Sequence, residues 1–400
     1  MNRFTGGSSL VIQVVNLSFG DVFKKYSSCY KIYREVYQPG LLGIELRNVP
    51  EKLANNVQKI VLNENEICYK NIDSDKKSTN LFIPGSVSNM KELSRKILAN
   101  GDEDLGYKIV NVIKNYEEYN TRYYQIGNKQ FYFDKAYVMG ILNITPDSFS
   151  DGGKYQNKNL AVKHALKMID DGADIIDIGG ESTRPGSEGV TAEVELNRVM
   201  PVIKEILLKK PDTIISIDTT KKIVAEEALL HGAKIVNDIS ALTMEPDMAE
   251  IIKQHGASVV LMHMKGIPKT MQKDIRYDNL VKDIYDFLFA RAQNASKKGI
   301  RNIFVDPGIG FGKSFENNFE IIRRLEDFKS LGYPILIGVS RKSFIGKTLN
   351  LEVEERDTAT ASVESIAIRN GARIIRTHNV KNGVQVCRLL NNFINRKLDV

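Results

Sequence analysis

After Ala136 this chain repeats one pattern eight times: an apolar run of four to seven residues, a polar loop, and an amphipathic stretch. The apolar runs are YVMGIL from Tyr137, DIIDIG from Asp174, IISID from Ile214, KIVND from Lys234, SVVLMH from Ser258, NIFVD from Asn302, PILIGV from Pro334 and RIIRT from Arg373. Short apolar runs separated by helix-length stretches predict parallel strands, because a parallel pair needs a long crossover connection. The stretches between them, for instance Ala161 to Asp171 and Asn317 to Leu331, carry the helical period. Several end in a glycine pair such as Gly172-Ala173, Gly232-Ala233, Gly256-Ala257 or Gly371-Ala372, where glycine can close a helix in a left-handed cap. Eight units over about 265 residues match a (β/α)₈ TIM barrel of roughly 250. The alternative, an open doubly wound sheet, rarely runs through eight units without a reversal, and no GxGxxG loop follows the first strand.

Residues 122–134, RYYQIGNKQFYFD, predict a β-hairpin turning on Gly127-Asn128 and covering the barrel floor. The segment 1–121 reads as a separate, small α+β domain, although 1–36 carry little pattern. In it GIELRNV alternates as a strand. A helix from Pro50 to Leu62 sets Leu53, Val57, Ile60 and Val61 on one face, and EICYKNI and NLFIPGSV predict two further strands. Ser88 and Asp102 are candidate caps for helices running to Ala99 and Tyr119. This segment shows no nucleotide loop, metal motif or catalytic cluster. The expected organisation is therefore 1–121 and a 122–400 barrel.

The balance of charge bounds the partners. A net charge of +7 suits nucleic acid or small anions. No basic cluster alternates with aromatics, so small anions are expected and nucleic acid is not. The apolar run Leu10 to Phe19 is too short to span a bilayer. Cys29, Cys68 and Cys387 are scattered and odd in number, which fits a reducing compartment. A cytoplasmic protein, acting as a homodimer without membrane partners, is expected.

In a barrel of this kind chemistry sits where strands end, and all eight exits are polar. The first reaches Asn143 and then TPDSFSDGG. The second passes Asp177 into Glu181, Ser182, Thr183, Arg184, Pro185 and Gly186. Asp218, Asn237-Asp238 and His263 end the next three, and Asp306 precedes PGIGFGK. Ser340-Arg341-Lys342 and Arg376-Thr377-His378-Asn379 end the last two. Asp218, Asn237, Asp306 and Lys342 combine carboxylate, amide and ammonium, a set suited to a flat heterocycle rich in donors and acceptors. Asn143, Arg184, Arg376 and His378 suit an anion. His263 fits either a packing or a functional role.

These segments, TPDSFSDGG, ESTRPG at 181–186, IDTT, VNDIS, DPGIGFGK, SRKSFIG and RTHNV, resemble in order those of the dihydropteroate synthase family across 122–400. The resemblance implies that Asp218, Asn237, Asp306 and Lys342 hold a pterin ring, with Arg376 packed along it. It implies that Asn143, Arg376 and His378 hold diphosphate, with Mg²⁺ near Asn143. Thr183, Pro185, Phe311, Ser340 and Lys342 would shape a 4-aminobenzoate pocket, and Asp151 would pair with Arg184 over the diphosphate.

The reaction implied joins 6-hydroxymethyl-7,8-dihydropterin diphosphate to 4-aminobenzoate, giving 7,8-dihydropteroate and diphosphate. Asp306, Lys342, Arg376, Asp151 and Arg184 carry the catalytic roles in this expectation. A pterin-binding methyltransferase shares the barrel but does not need the TPDSFSDGG and STRPG loops. A non-catalytic pterin-binding barrel has no need to keep Asn143, Asp306, Lys342 and Arg376 together.

Overall fold

The computed structural model describes residues 10–18, 20–30, 41–62, 68–73, 78–145, 154–182, 187–267, 269–272 and 275–395. The chain divides into two compact units, Met1–Tyr119 with Glu326–Gly332, and Asn120–Leu325 with Tyr333–Val400.

The first unit begins with β1 (Val11–Asn16), α1 (Gly20–Tyr30), β2 (Leu42–Pro50) and α2 (Glu51–Leu62), and continues with β3 (Tyr69–Asp73), β4 (Ser78–Gly85), α3 (Val87–Ala99) and α4 (Glu103–Glu117). Its sheet has the order β1-β2-β4-β3 and is antiparallel throughout. Side chains alternate between its faces. Ile12, Val14, Ile44, Leu46, Leu81 and Ile83 pack with apolar residues of α2, α3 and α4, while Val15, Leu17 and Phe82 pack with Val22, Tyr26 and Tyr30 of α1. The α+β character agrees with the sequence, and three details do not. The run from Leu10 contains a strand, β1. Ser86 rather than Ser88 caps α3, its Oγ accepting from the Asn89 N–H at 3.2 Å while Asn89 Oδ1 accepts the Ser86 N–H at 3.0 Å. Asp102 stands at the start of α4 but makes no side-chain cap bond.

The second unit opens on the hairpin β5 (Tyr123–Ile126) and β6 (Lys129–Tyr132). Then follow β7 (Tyr137–Asn143), α5 (Lys154–Asp170), β8 (Ile175–Gly179), α6 (Ala192–Lys209), β9 (Ile214–Asp218), α7 (Lys222–Leu230), β10 (Ile235–Asp238) and α8 (Met248–Gln254). The series continues with β11 (Ser258–Met262), α9 (Leu280–Lys297), β12 (Ile303–Asp306), α10 (Phe315–Arg323), β13 (Ile335–Ile337), α11 (Ser343–Leu349), α12 (Asp357–Arg369), β14 (Ala372–Thr377) and α13 (Val380–Asn395). The strands β7 to β14 form a closed barrel, each parallel to its neighbours, with β14 returning to β7. Hairpin residues Ile126, Phe131 and Phe133 share one apolar cluster with Tyr137, Met139, Ile175, Ile214, Ile235, Val260, Phe304, Leu336 and Ile374. The hairpin therefore plugs the end at which the strands begin and leaves the other end for chemistry.

The helix expected over Asn317 to Leu331 is broken. It stops at Arg323, and a 3₁₀ segment, Leu325–Leu331, follows. Residues Glu326–Gly332 belong by their contacts to the first unit, in which Asn16 donates from its backbone N–H to Asp327 Oδ1 and from Nδ2 to Glu326 Oε2, both at 2.9 Å.

The α1 side of the first sheet carries buried charge. Arg47 donates to Glu45 at 2.5 Å and to Gln13 Oε1 at 2.9 Å, and Tyr30 donates to Glu45 at 2.7 Å. Both members of the ion pair are nearly inaccessible, at 1% and 5% side-chain exposure. Removing one member strands the other, so Glu45→Ala is expected to cost about 3–5 kcal/mol. Urea unfolding monitored in this unit reads the loss, and an unchanged midpoint would show that the pair carries no net weight.

Candidate active site at the carboxyl ends of the barrel strands

Closure of the barrel gathers the carboxyl ends of its eight strands on one rim. Across that rim runs a hydrogen-bonded chain built from four strands. Asp177, within β8 and fully buried, accepts from Arg376 Nε of β14 at 2.5 Å and from Asn237 Nδ2 of β10 at 3.0 Å through the same oxygen. Arg376 also donates to Asp218 Oδ2, at the end of β9, at 2.7 Å. Gly179 sits beside this group: a methyl on its Cα would lie 3.6 Å from Asp218 Oδ2 and 3.7 Å from Asn143 Oδ1. The rim thus brings Asn143 and Asp218 to one place.

Asp306, at the end of β12, starts a glycine-rich loop and accepts the Gly308 N–H at 2.7 Å. Gly308 has φ +72°, and a side chain there would meet the His263 carbonyl at 2.0 Å, so only glycine lets the loop pass so close. Lys313, buried at the loop's end, donates to the carbonyls of His263 and Phe311 at 2.9 and 3.0 Å and lies 2.8 Å from His263 Nδ1. It pins the loop to the end of β11. The Phe311 ring held in this way has Lys342 Nζ 4.3 Å from its centroid, a cation–π distance.

Burial sets the acid–base character of the rim. Asp306 is pushed up to about 6 by desolvation, opposed by the Gly308 N–H and by Lys342. Asp218 is pushed up to about 7, again by burial, with Arg376 opposing and Asp177 adding repulsion. Lys342 falls to about 8 because its ammonium is buried and lies near Arg376, while Asp306 partly offsets this. His263 is lowered by burial and by Lys313.

On the last two strands, Ser340 Oγ accepts the His378 N–H at 3.1 Å and lies 3.0 Å from His378 Nδ1. Arg341 is committed elsewhere, with both ends of its guanidinium on Asp357 at 2.7 and 2.9 Å. A cavity of about 320 Å³ opens next to Asp218, between Glu181 and Ser182, Thr219 and Thr220, and Met244 and Ile267.

Of the residues expected from the sequence, Asp218, Asn237 and Arg376 form one linked set. Asp306, Phe311 and Lys342 form a second, and Ser340 with His378 a third. Asp151, Thr183, Arg184 and Pro185 lie outside the described residues. Arg376 differs from expectation in one respect: its guanidinium is held between two carboxylates. His263 is a buried anchor for Lys313. The sequence reading gave no role to Asp177 or Lys313. The signal for Asp177 was present, a charged residue inside the apolar run DIIDIG, which folding must bury with a partner.

Among the described residues no group of three or more His, Cys, Asp or Glu side chains gathers for a metal. Asn143 offers one neutral oxygen. That fits Mg²⁺, which keeps several waters and is commonly shared with substrate phosphates.

Comparison with known proteins agrees with this geometry. The pattern of the pterin-binding enzyme family matches residues 139–378. The dihydropteroate synthase of Bacillus subtilis is 44% identical over 66% of this chain and 91% of its own length. A Yersinia pestis dihydropteroate synthase solved with a sulfonamide drug is 39% identical, with a TM-score of 0.65, covering 69% of this chain and all of that one. The Xanthomonas albilineans enzyme solved with 7,8-dihydropteroate is 34% identical, with a TM-score of 0.62, over 69% of this chain and 100% of its own. With the family pattern spanning the barrel and relatives matched over nearly their whole lengths, the chain belongs to the dihydropteroate synthase family.

Proposed function

We infer that this chain condenses 6-hydroxymethyl-7,8-dihydropterin diphosphate with 4-aminobenzoate, releasing diphosphate and forming 7,8-dihydropteroate. The observation that carries the reading is the pairing of a buried acid, Asp306, with Lys342 and the Phe311 ring on the same rim as Asp218, Asn237 and Arg376. An aminopyrimidinone edge presents N–H donors to a carboxylate and a carbonyl oxygen to an ammonium. Asp306, Asn237 and Lys342 supply those partners, and Phe311 supplies a flat apolar wall.

In the reaction the exocyclic carbon loses its bond to diphosphate, gains a bond to the arylamine nitrogen, and the amine gives up a proton. No side chain need act as nucleophile. The protein's work is to hold the ring, align the amine and stabilise charge on the departing group. Arg376 and His378 are the cationic and N–H donors assigned to that charge, with Asn143 as the protein ligand for Mg²⁺. The ion, when bound, would neutralise diphosphate charge. Asp306 opposite the electron-poor ring favours positive charge at the reacting carbon. Ser340 belongs to the aminobenzoate side, and Thr183, Pro185, Asp151 and Arg184 join the site through the family resemblance alone. That reading makes the aminobenzoate side a sulfonamide site. Cytoplasmic location and a homodimer belong to the same reading; among the described residues no helix is long and apolar enough to cross a membrane.

Formation of dihydropteroate by purified protein given both substrates tests the reading directly. Pterin binding without product would favour a non-catalytic barrel, and methyl transfer would favour the methyltransferase.

Asp306→Asn keeps an oxygen for the Gly308 N–H but offers a neutral amide to the pterin donors. Pterin affinity, measured by calorimetry, is expected to fall by about 1–3 kcal/mol with the thermal midpoint little changed. Undiminished affinity in a folded variant would remove Asp306 from the site.

The rim also fixes a pH profile. Asp306 and Asp218 must be ionised, and they gain protons as pH falls through about 6 and about 7. Lys342 must be protonated and loses its proton as pH rises through about 8. A bell-shaped kcat/KM between these limits is expected. Lys342→Arg keeps its charge at all working pH values, so it should flatten the alkaline limb. An alkaline limb unchanged in that variant would assign it to another group.

A further inference from the structure

The loop that follows β10 adopts a conformation that its residues disfavour. Ala241 and Leu242, both buried, have φ of +52° and +62°, in the left-handed region where a Cβ crowds the backbone and glycine is the ordinary occupant. Two side chains hold them there. Asp238, the last residue of β10 and 1% exposed, accepts the Ser240 N–H at 2.7 Å on one carboxyl oxygen and the Leu242 N–H at 2.9 Å on the other. Arg291 of α9 donates from Nε to the Ala241 carbonyl at 2.7 Å and from Nη2 to the Leu242 carbonyl at 2.9 Å. The turn is therefore gripped through its N–H groups from the strand and through its carbonyls from the helix.

What the turn carries gives this grip a use. Asp238 stands between Asn237, which donates to Asp177 on the rim, and Ile239, which lines the cavity beside Asp218. Beyond the turn, Met244 lines the same cavity, and its N–H donates to Ser240 Oγ at 3.4 Å. Backbone strain of this kind persists only where surrounding bonds over-determine it, and it gathers at sites whose geometry matters.

We propose that Asp238 and Arg291 are positioning residues for the pterin side of the site: together they impose the left-handed turn that sets Asn237, Ile239 and Met244 around the cavity. The proposal deepens, and rests on, the reading of Asn237 as a partner of the ring. Neither side chain touches the reacting atoms; both act through the backbone between them. Without Arg291 the turn loses two of its four holding bonds, Ala241 and Leu242 relax toward negative φ, and the cavity wall moves with them. A purely electrostatic role, with Arg291 as the counter-charge of buried Asp238, leads to a different outcome. Ala241→Gly lowers the cost of positive φ without supplying charge, so it can replace a clamp but not a counter-ion.

Arg291→Met is expected to raise the KM for the pterin diphosphate about tenfold and to leave the KM for 4-aminobenzoate close to its wild-type value. Asp238→Asn keeps one acceptor oxygen but gives up one of the two N–H bonds, and should move the same KM in the same direction. Adding Ala241→Gly to Arg291→Met should bring the pterin KM most of the way back. Amide hydrogen exchange over residues 239–244 reads the turn itself with no ligand present. It should speed up in Arg291→Met and slow again in the double variant, while exchange in β7 to β9 stays as in the wild type. A pterin KM unmoved by Arg291→Met, a loss that Ala241→Gly does not repair, or exchange over 239–244 that ignores Arg291 would each overturn the proposal. If Arg291→Met does not fold, Asp238→Asn with and without Ala241→Gly gives the same decision. Were the wild-type protein to make no dihydropteroate, the functional reading would fail, and the exchange measurements would still decide whether the clamp exists.

Discussion

Everything at the candidate site depends on closure of the parallel ladder, and above all on the pairing of β14 with β7. That pairing sets Arg376 opposite Met139 and Thr377 opposite Gly140. Without it the last strand would be an edge, and the guanidinium of Arg376 would have no fixed place across the mouth from Asp177 and Asp218. Gly140 is part of the same fit. A methyl there would come within 2.9 Å of Met168 sulfur and 3.0 Å of a Val380 methyl, so α5 and α13 press directly on this strand. Packing outside the barrel and charge placement at its mouth are consequences of one register.

The barrel was legible because its signal is redundant. Each strand is apolar, each exit is polar, and several helices end in glycine, so an error in one unit does not change the count. The linked residues of the rim were legible for a related reason, since polar side chains at strand ends stand out against apolar runs. Less legible was anything that depends on a partner distant in sequence. Asp177 is one such case. Its place inside a strand was visible, but the sharing of one oxygen by Arg376 and Asn237 is a tertiary fact. Lys313 is another: a lysine after FG in a loop reads as solvated, and only the fold shows it buried against two carbonyls.

The remaining misses have local causes. Ser86 and Ser88 both fit a cap, and the choice was made by Asn89, which returns a hydrogen bond to Ser86 and completes a reciprocal box. The stretch from Asn317 to Leu331 kept a helical apolar period, so periodicity could not reveal the break at Arg324. There Glu326, Asp327 and Ser330 find partners in the first unit, and tertiary hydrogen bonds outweigh helix propensity. Residues 147–151 and 183–186, the most distinctive loops of the sequence, owe their assigned roles to family resemblance.

The acids of the barrel mouth follow one electrostatic rule. Asp306 and Asp218 have folded-state pKa values above the ordinary carboxylate range because burial taxes the charged form more than nearby cations relieve it. For a group raised in this way, the stabilising contribution is present in full below the unfolded pKa and is lost as pH rises through the folded one. As pH rises through about 6 and about 7, ionisation of these carboxyls therefore removes stability from the fold. Arg376 cannot cancel the cost alone, since one guanidinium serves both Asp177 and Asp218. A ligand that brings N–H donors to Asp306 favours its ionised form. The free energy released on binding then comes partly from relief of a cost already built into the fold.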